Sequence, residues 1–149
     1  ANFNFVYNDS FLKSPLVNTT KLDIQGDDKG NASIYLKEII GDISDSTYNL
    51  KINISKTTTT KKIDTDSTAS KIEILHSIKY ELFKNDKNCK IYEGLIVTSS
   101  NYNSKSEGYN FGTDTSIKVI INNNIKTSIN KFFTKLRNTN PNLDCFDAD

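Results

Sequence analysis

An alternation of apolar and polar residues over positions 48–55 constrains the fold more than any other feature of this sequence. Its apolar members are Tyr48, Leu50, Ile52 and Ile54. Successive side chains of a β-strand point to opposite faces, so this spacing predicts a strand with one apolar face. Such a strand requires a sheet that is covered on one side and open to water on the other.

Two further strands are predicted after this one. The alternation resumes from Ile72 to Leu82, and a third apolar stretch covers residues 91–97. Polar segments rich in turn-forming residues, 64–66 and 85–88, separate the three strands, which predicts two consecutive hairpins. A shorter alternating run over residues 20–25, ended by Gly26, predicts one additional strand near the start of the chain.

Helical spacing marks two other segments. Residues 27–43 carry apolar side chains three and four positions apart, with Asp27, Asp28 and Asn31 as capping candidates and Gly41 as a terminator. Residues 113–137 form a longer amphipathic helix. Its apolar stripe consists of Ile117, Ile121, Ile125, Ile129, Phe132, Phe133 and Leu136.

The predicted order is strand, helix, three strands, helix. One-sided helices over a one-sided sheet predict an α+β fold, a two-layer sandwich with two helices packed on one face of a four-stranded mixed sheet. A length of 149 residues suits a single domain, 1–149. We expect residues 1–20 to form an extended N-terminal arm and residues 138–149 a polar C-terminal tail.

Charge and composition exclude some functions. Nineteen Lys and Arg residues oppose eighteen Asp and Glu residues, a net charge of +1 that argues against nucleic acid as a partner. The chain contains no Met and opens at Ala1, which predicts an exported protein whose leader has been removed. In an oxidising compartment its two cysteines could form a disulfide.

The predicted topology brings Cys89 and Cys145 to the same end of the sheet. Cys89 lies in the turn between the last two strands, and the final helix, about 37 Å long, returns the chain to that level. Eight residues then separate Arg137 from Cys145, enough to reach Cys89. We therefore predict a Cys89–Cys145 disulfide, and the alternative is a buried Cys89 with a free Cys145 thiol.

Three local patterns carry a family resemblance. They are the aromatic segment Phe3-Asn4-Phe5-Val6-Tyr7, the stretch 63–71 leading into Tyr80-Glu81-Leu82, and Gly94 followed by Ser100-Asn101-Tyr102-Asn103, Ser106 and Tyr109. In this order they resemble the lipopolysaccharide-assembly (LptE-type) lipoproteins, including α-proteobacterial members. The resemblance implies a non-catalytic lipoprotein, anchored by an N-terminal lipid to the periplasmic face of the outer membrane. Such a protein plugs and helps assemble an LptD-type translocon barrel and can bind lipopolysaccharide.

Five lysines and two tyrosines are the candidate lipopolysaccharide-binding residues. We expect the lysines to gather at one end of the sheet, mostly on loops, where ammonium groups can meet lipid A phosphates. Aromatic residues on loops are often packed or bind a ligand. The candidates are Lys56, Lys61, Lys62, Lys71, Lys105, Tyr102 and Tyr109. The alternative is that these lysines only make a hairpin tip soluble.

An enzyme is the competing interpretation. It would use Asp64, Asp66, Glu93 or Tyr102 as acid-base groups, but no nucleophile, metal or cofactor motif accompanies them. The single histidine, His76, shares its parity with Ile74 and Ile78 and is predicted to be packed, without a carboxylate partner. We therefore expect no catalysis, no metal and no cofactor. A third possibility is an exported surface-binding or adhesin-like module.

Overall fold

The computed structural model describes residues 15–62, 69–85, 89–105 and 110–146. It contains four strands and two helices in the predicted order: β1 (Thr20–Gly26), α1 (Lys29–Ile40), β2 (Tyr48–Lys62), β3 (Ala69–Lys84), β4 (Cys89–Lys105) and α2 (Asn110–Thr139). The strands form one sheet in the order β1-β2-β3-β4. Parallel pairing of β1 with β2 and antiparallel pairing elsewhere make the sheet mixed, which confirms the predicted fold class.

The sheet buries one face, as the alternation in β2 predicts. Leu50, Ile52 and Ile54 are each at most 2% exposed, whereas Lys51 and Asn53 between them are exposed. Both helices pack on the buried face, and the stripe of α2 contributes its residues from position 125 onward to the same core. The opposite face, called the open face below, is left to solvent.

Three aromatic rings form the centre of this core. The ring of Phe132 stacks on Tyr80 at a centroid distance of 4.7 Å and meets the edge of Tyr92 at 5.2 Å. The Tyr80 hydroxyl lies 2.7 Å from the hydroxyl of Ser128, so the buried phenol keeps a hydrogen bond. Burial raises the pKa of Tyr80, an effect that this hydrogen bond only partly opposes. Phe132 therefore joins α2 to two strands.

Gly26 permits the turn from β1 into α1. Its φ is 102°, and a Cβ at this position would lie 2.9 Å from the Ile54 nitrogen and closer still to the Ile54 carbonyl oxygen. That carbonyl accepts a hydrogen bond from the Asp27 N–H at 3.0 Å. The close approach of β1 to β2 thus depends on a residue without a side chain.

We expect Gly26→Ala to lower the free energy of unfolding by about 2 kcal/mol or more, because the methyl group must displace backbone atoms and strain a positive φ. Gly30→Ala is the matched control, since a methyl group added there would have no atom within 4 Å. The control should leave stability unchanged or raise it by up to about 1 kcal/mol. Urea unfolding of the two variants measures the difference, and equal midpoints would contradict this account of the turn.

The strands extend further than the sequence indicated. Thr57–Thr60, beyond the strand predicted over residues 48–55, lies inside β2, and β4 continues to Lys105 instead of ending near Val97. Threonine is β-branched and suits a strand even where no apolar neighbour marks the pattern. Continuous pairing with β3, as far as Lys62 opposite Ser70, supports these polar extensions.

Helix α1 is shorter than predicted, and the side chains of Asp27 and Asp28 contact β2 and β3 instead of capping it. It begins at Lys29 and ends at Ile40, where the Gly41 N–H, at φ 72°, donates to the Lys37 carbonyl at 2.9 Å. Asp28 precedes the helix with φ 58° and makes no side-chain capping hydrogen bond. Its carboxylate contacts His76 and Lys56 instead. Helix α2 is longer than the predicted 113–137.

Both ends of the described chain pack against the domain. Residues 15–19 form a turn, and Leu16 is 2% exposed in the core. The rest of the expected N-terminal arm, residues 1–14, lies outside the described residues. In the tail, Leu143 is buried, and Cys145 forms the predicted disulfide with Cys89, with Cα atoms 5.5 Å apart. The Phe146 N–H donates to the Lys90 carbonyl at 2.9 Å, so the tail returns to the edge of β4.

Candidate ligand-binding surface

Four of the five candidate lysines come together at one end of the sheet. We call this end the cationic tip: residues 61–62 of β2, 69–71 of β3 and 102–105 of β4. Lys61 is directly opposite Lys71, which is opposite Asn103 on the next strand. In the next row Lys62 is opposite Ser70, and in the row after that Lys105 is opposite Ala69. These lysines lie on strands, not on loops as expected, because the hairpin strands are longer than predicted.

Lys61 and Lys71 form a pair of like charges on the open face. Both side chains are exposed, and directly opposed residues of an antiparallel pair hold their Cβ atoms about 5 Å apart. The next described carboxylate on this face along β3 is that of Glu73, two residues after Lys71. The side chains of Lys62 and Lys105 lie outside the part that the structure describes. Lys61 and Lys71 are therefore opposed in a described row, completed by Asn103, that contains no carboxylate.

The opposite end of the open face is arranged differently. The Lys90 Nζ lies 3.1 Å from Glu81 Oε2 and 3.0 Å from Glu93 Oε1, and Lys79 approaches Glu93 at 3.7 Å. The hydrogen bond from Lys90 lowers the pKa of Glu93, and its bonds to Glu93 and Glu81 raise the pKa of Lys90. Lys90 and Lys79 at that end are therefore paired with carboxylates, in contrast to the row of Lys61 and Lys71.

The tyrosines do not join the lysine pair. Tyr102 lies in β4 opposite Ile72, half-buried, and its parity places it on the helix-facing side of the sheet. It is therefore on a strand, not on a loop. Tyr109 lies outside the described residues, as do Asp64 and Asp66.

Lys56 does not belong to the tip. It shares the parity of Ile54 and points toward the helix layer, where its Nζ lies 3.2 Å from Asp28 Oδ2. Its backbone N–H donates to Asp27 Oδ2 at 2.9 Å. Placing Lys56 with the tip lysines was wrong, because the strand continues beyond Ile54 and keeps this side chain on the covered face.

A buried polar network surrounds His76. The side chain of His76 is fully buried, as predicted, but it does have a carboxylate partner: its Nε2 lies 2.9 Å from Asp28 Oδ2. The Asn124 amide group donates to His76 Nδ1 at 3.1 Å and to the Ile74 carbonyl at 3.0 Å. The Ser100 hydroxyl donates to Asn124 Oδ1 at 2.6 Å. These contacts form the His76 network, which connects α2 with β3, β4 and the start of α1.

The hydrogen bonds fix one proton arrangement on the ring. The Ile74 carbonyl can only accept, so the Asn124 amide nitrogen faces it and also donates to His76 Nδ1. The proton of a neutral His76 is then on Nε2, directed at Asp28. Both ring nitrogens are occupied and no ring atom is accessible, so the geometry suits a structural histidine. Within the described ranges, no group of three metal-binding side chains occurs.

A groove lies away from the tip, between the outer edge of β4 and the end of α2. Its volume is about 600 Å³, and Gly94, Leu95, Lys135, Asn140 and Phe146 are among its lining residues. Gly94 leaves room there for the Tyr92 ring, because a Cβ on Gly94 would approach the Tyr92 hydroxyl to 2.5 Å. Burial raises the pKa of Tyr92. No pattern in the sequence indicated this groove.

Among the residues that the structure describes, no helix has the length and apolar character needed to cross a membrane.

Comparison with known proteins identifies structural likeness without sequence likeness. No family model and no curated protein matches the chain. A putative lipoprotein from Caulobacter crescentus superposes with a TM-score of 0.63 at 12% identity, covering 89% of this chain and 93% of its own. The rare lipoprotein B from Shewanella oneidensis gives 0.57 at 10% identity, with 85% and 98% covered. A minor lipoprotein from Acinetobacter baumannii gives 0.53 at 8% identity, with 80% and 90% covered. The chain thus shares the fold of three bacterial lipoproteins over most of their length.

Proposed function

We propose that this chain is the non-catalytic domain of an LptE-type outer-membrane lipoprotein. It partners an LptD-type translocon barrel and binds lipopolysaccharide through lipid A phosphates at the cationic tip. The observation that carries the binding site is the pairing of Lys61 with Lys71 on the open face. The fold shared with bacterial lipoproteins supports the lipoprotein assignment, and the Cys89–Cys145 disulfide suits an exported protein.

The tip is accessible because it projects beyond the helix layer on the β2 side. Helix α1 begins just after β1, which ends opposite Ile54. The four threonines that follow on β2, Thr57–Thr60, are all exposed. Since successive strand residues point to opposite faces, this part of β2 is exposed on both faces. A bulky amphiphile could therefore approach Lys61 and Lys71 from the open face without displacing a packed residue of the part that the structure describes.

The lysine pair suits a phosphate group. Two ammonium groups on opposed strand positions can both contact one phosphate, and its charge offsets their mutual repulsion. Lysine acts here as a point charge that tolerates several phosphate orientations. Because Glu73 lies only two residues along β3 from Lys71, the attraction is local and favours a compact phosphate over an extended polyanion.

The binding site is tested by replacing Lys61, Lys62, Lys71 and Lys105 with Gln. We expect the affinity for labelled lipopolysaccharide to fall about tenfold or more at fixed ionic strength, because the phosphate contacts are lost. The melting temperature should change by only about 2 °C, since exposed charges contribute little to stability. Lys56 is kept, because its side chain is paired with Asp28 on the helix-facing side of the sheet.

The matched control replaces Lys21, Lys37, Lys51 and Lys131 with Gln. These lysines are also exposed, so the change in net charge is the same while the tip stays intact. The control should bind lipopolysaccharide as tightly as the parent. Equal affinity of the tip variant and the parent would contradict the proposed site. An equal loss of affinity in both variants would also contradict it, because the loss would then come from the change in net charge.

A further inference from the structure

Three aliphatic side chains lie next to one another on the open face. Leu95 and Val97 of β4 are 62% and 50% exposed. Leu75 of β3 is half-buried and lies diagonally across from Val97, because its direct partner on β4 is Ser99. We call Leu75, Val97 and Leu95 the aliphatic stripe. Contiguous exposed apolar surface marks an interaction site more often than single exposed side chains do.

The open-face positions beside the stripe are small and uncharged. On β2, Thr57 is opposite Leu75, and Ser55 is opposite Ser77. Ser77 is in turn opposite Val97. These hydroxyl side chains are too short to cover the stripe. The middle of the open face is therefore an uncharged band between the lysine pair of the tip and the ion pairs of Lys79 and Lys90.

The stripe lies within reach of a lipid held at the tip. Leu75 is four residues from Lys71 along β3, about 13 Å, and Ser77 opposite Val97 is six residues away, about 20 Å. The acyl chains of one leaflet fill half of a hydrocarbon core about 30 Å thick, so each is about 15 Å long. Together with the sugar that joins it to a phosphate, such a chain reaches from the lysine pair to Val97.

An uncharged path connects the two places. Glu73 lies between Lys71 and Leu75 on β3 and is half-buried. Beside it on β4, the open-face side chains that lead from the tip to the stripe are uncharged: Asn103, Asn101 and Ser99. An apolar chain can therefore pass from the tip to Val97 along β4 without lying on a carboxylate.

We infer that an acyl chain of the amphiphile lies on the aliphatic stripe while its phosphate is held by Lys61 and Lys71. The inference rests on the proposed function, because the phosphate site fixes one end of the ligand. Two cations at one end of the face and aliphatic side chains further along it match a phosphorylated lipid, whereas a free phosphate would use the cations alone. Contact with the chain removes the exposed surface of Leu95 and Val97 from water and adds affinity.

Binding measurements on the 149-residue protein test the inference with two ligands. One ligand is labelled lipopolysaccharide, and the other is the same molecule deacylated by alkali, which keeps its sugars and phosphates. The test variant carries Leu95→Ser and Val97→Ser. The matched control carries Ile34→Ser and Val119→Ser, which replace apolar residues that are 66% and 53% exposed on the helices.

We expect the test variant to bind intact lipopolysaccharide about tenfold more weakly than the parent at fixed ionic strength, because the aliphatic contact is lost. Its affinity for the deacylated ligand should equal that of the parent. The control should match the parent with both ligands. The melting temperatures of both variants should stay within about 2 °C of the parent, since exposed substitutions change stability little.

Equal affinity of the test variant and the parent for intact lipopolysaccharide would overturn the inference. An equally large loss with the deacylated ligand would also overturn it, because no acyl chain would then be involved. The variant with Gln at the four tip lysines separates this result from the proposed function. A failure of the phosphate site appears as unchanged binding of the deacylated ligand by that variant, and a failure of the stripe appears only with the intact ligand.

A fluorescence measurement gives an independent readout. The chain contains no tryptophan, so Val97→Trp introduces a single reporter. Intact lipopolysaccharide should shift its emission to shorter wavelengths, the deacylated ligand should not, and the control reporter Ile34→Trp should respond to neither. Unchanged emission of Val97→Trp at saturating lipopolysaccharide would refute the inference. A ligand-free dimer of the parent that is absent in the Leu95→Ser, Val97→Ser variant would assign the stripe to a second copy and likewise refute it.

Discussion

Asn124→Ala lowers the free energy of unfolding by about 3–5 kcal/mol if the His76 network holds the two layers together. The substitution removes a hydrogen-bond partner from two buried groups, His76 Nδ1 and the Ile74 carbonyl, and from the half-buried Ser100 hydroxyl. A buried polar group that loses its hydrogen bond costs about 1–3 kcal/mol, so the combined loss exceeds that of an ordinary substitution. Equilibrium unfolding in urea measures it.

Asn123→Ala is the matched control for this experiment. Asn123 is the neighbouring residue of the same helix and is exposed. Its replacement should be neutral or slightly stabilising, because Ala has the higher helix propensity. A loss below about 1 kcal/mol for Asn124→Ala would show that water or a rearranged side chain satisfies the network, and its structural role would be disproved.

Removing the disulfide should have an effect of similar size. Cys89 and Cys145 are 56 residues apart, and opening a loop of that length releases about 4 kcal/mol of chain entropy to the unfolded state. We therefore expect Cys89→Ser with Cys145→Ser to lower the free energy of unfolding by about that amount. Reduction of the parent protein by dithiothreitol is the control and should produce a comparable loss.

The disulfide prediction also has a local consequence. Leu143 and the Phe146–Lys90 bridge lie next to Cys145, so amides of residues 140–146 should lose protection from hydrogen exchange in the double variant. Unchanged stability together with unchanged protection would mean that the tail is held by packing alone.

Local patterns predicted the architecture because apolar periodicity reports burial directly. The alternation in β2 and the stripe of α2 placed two elements in the correct layers. Apolar periodicity gave no indication of a strand over Thr57–Thr60, because this run is polar. Its β-branched residues suit a strand, and pairing with β3 extends β2 through them. The placement of the tip lysines on strands instead of loops follows from that extension.

Long-range polar contacts were the part that local reasoning missed. Asp28 has the sequence signature of a helix cap, but its partner His76 is 48 residues away. Asn124 reads as a polar helix residue, although it lies three residues after Ile121 and four before Ser128, on the stripe that faces the sheet. The parity of Lys56 with Ile54 was a usable signal, and it indicated the covered face. Parity of this kind predicts which face of the sheet a side chain occupies, but not which residue it contacts.

Co-purification of the membrane-extracted, full-length protein from its native cells tests the central claim most directly. With an affinity tag at the C-terminus of this chain, we expect an outer-membrane β-barrel of the lipopolysaccharide translocon to be recovered in near-equimolar amount. Recovery should persist in the variant in which Lys61, Lys62, Lys71 and Lys105 are Gln, since barrel pairing and phosphate binding are separate functions. Intact protein extracted from the membrane without any such barrel would contradict the account.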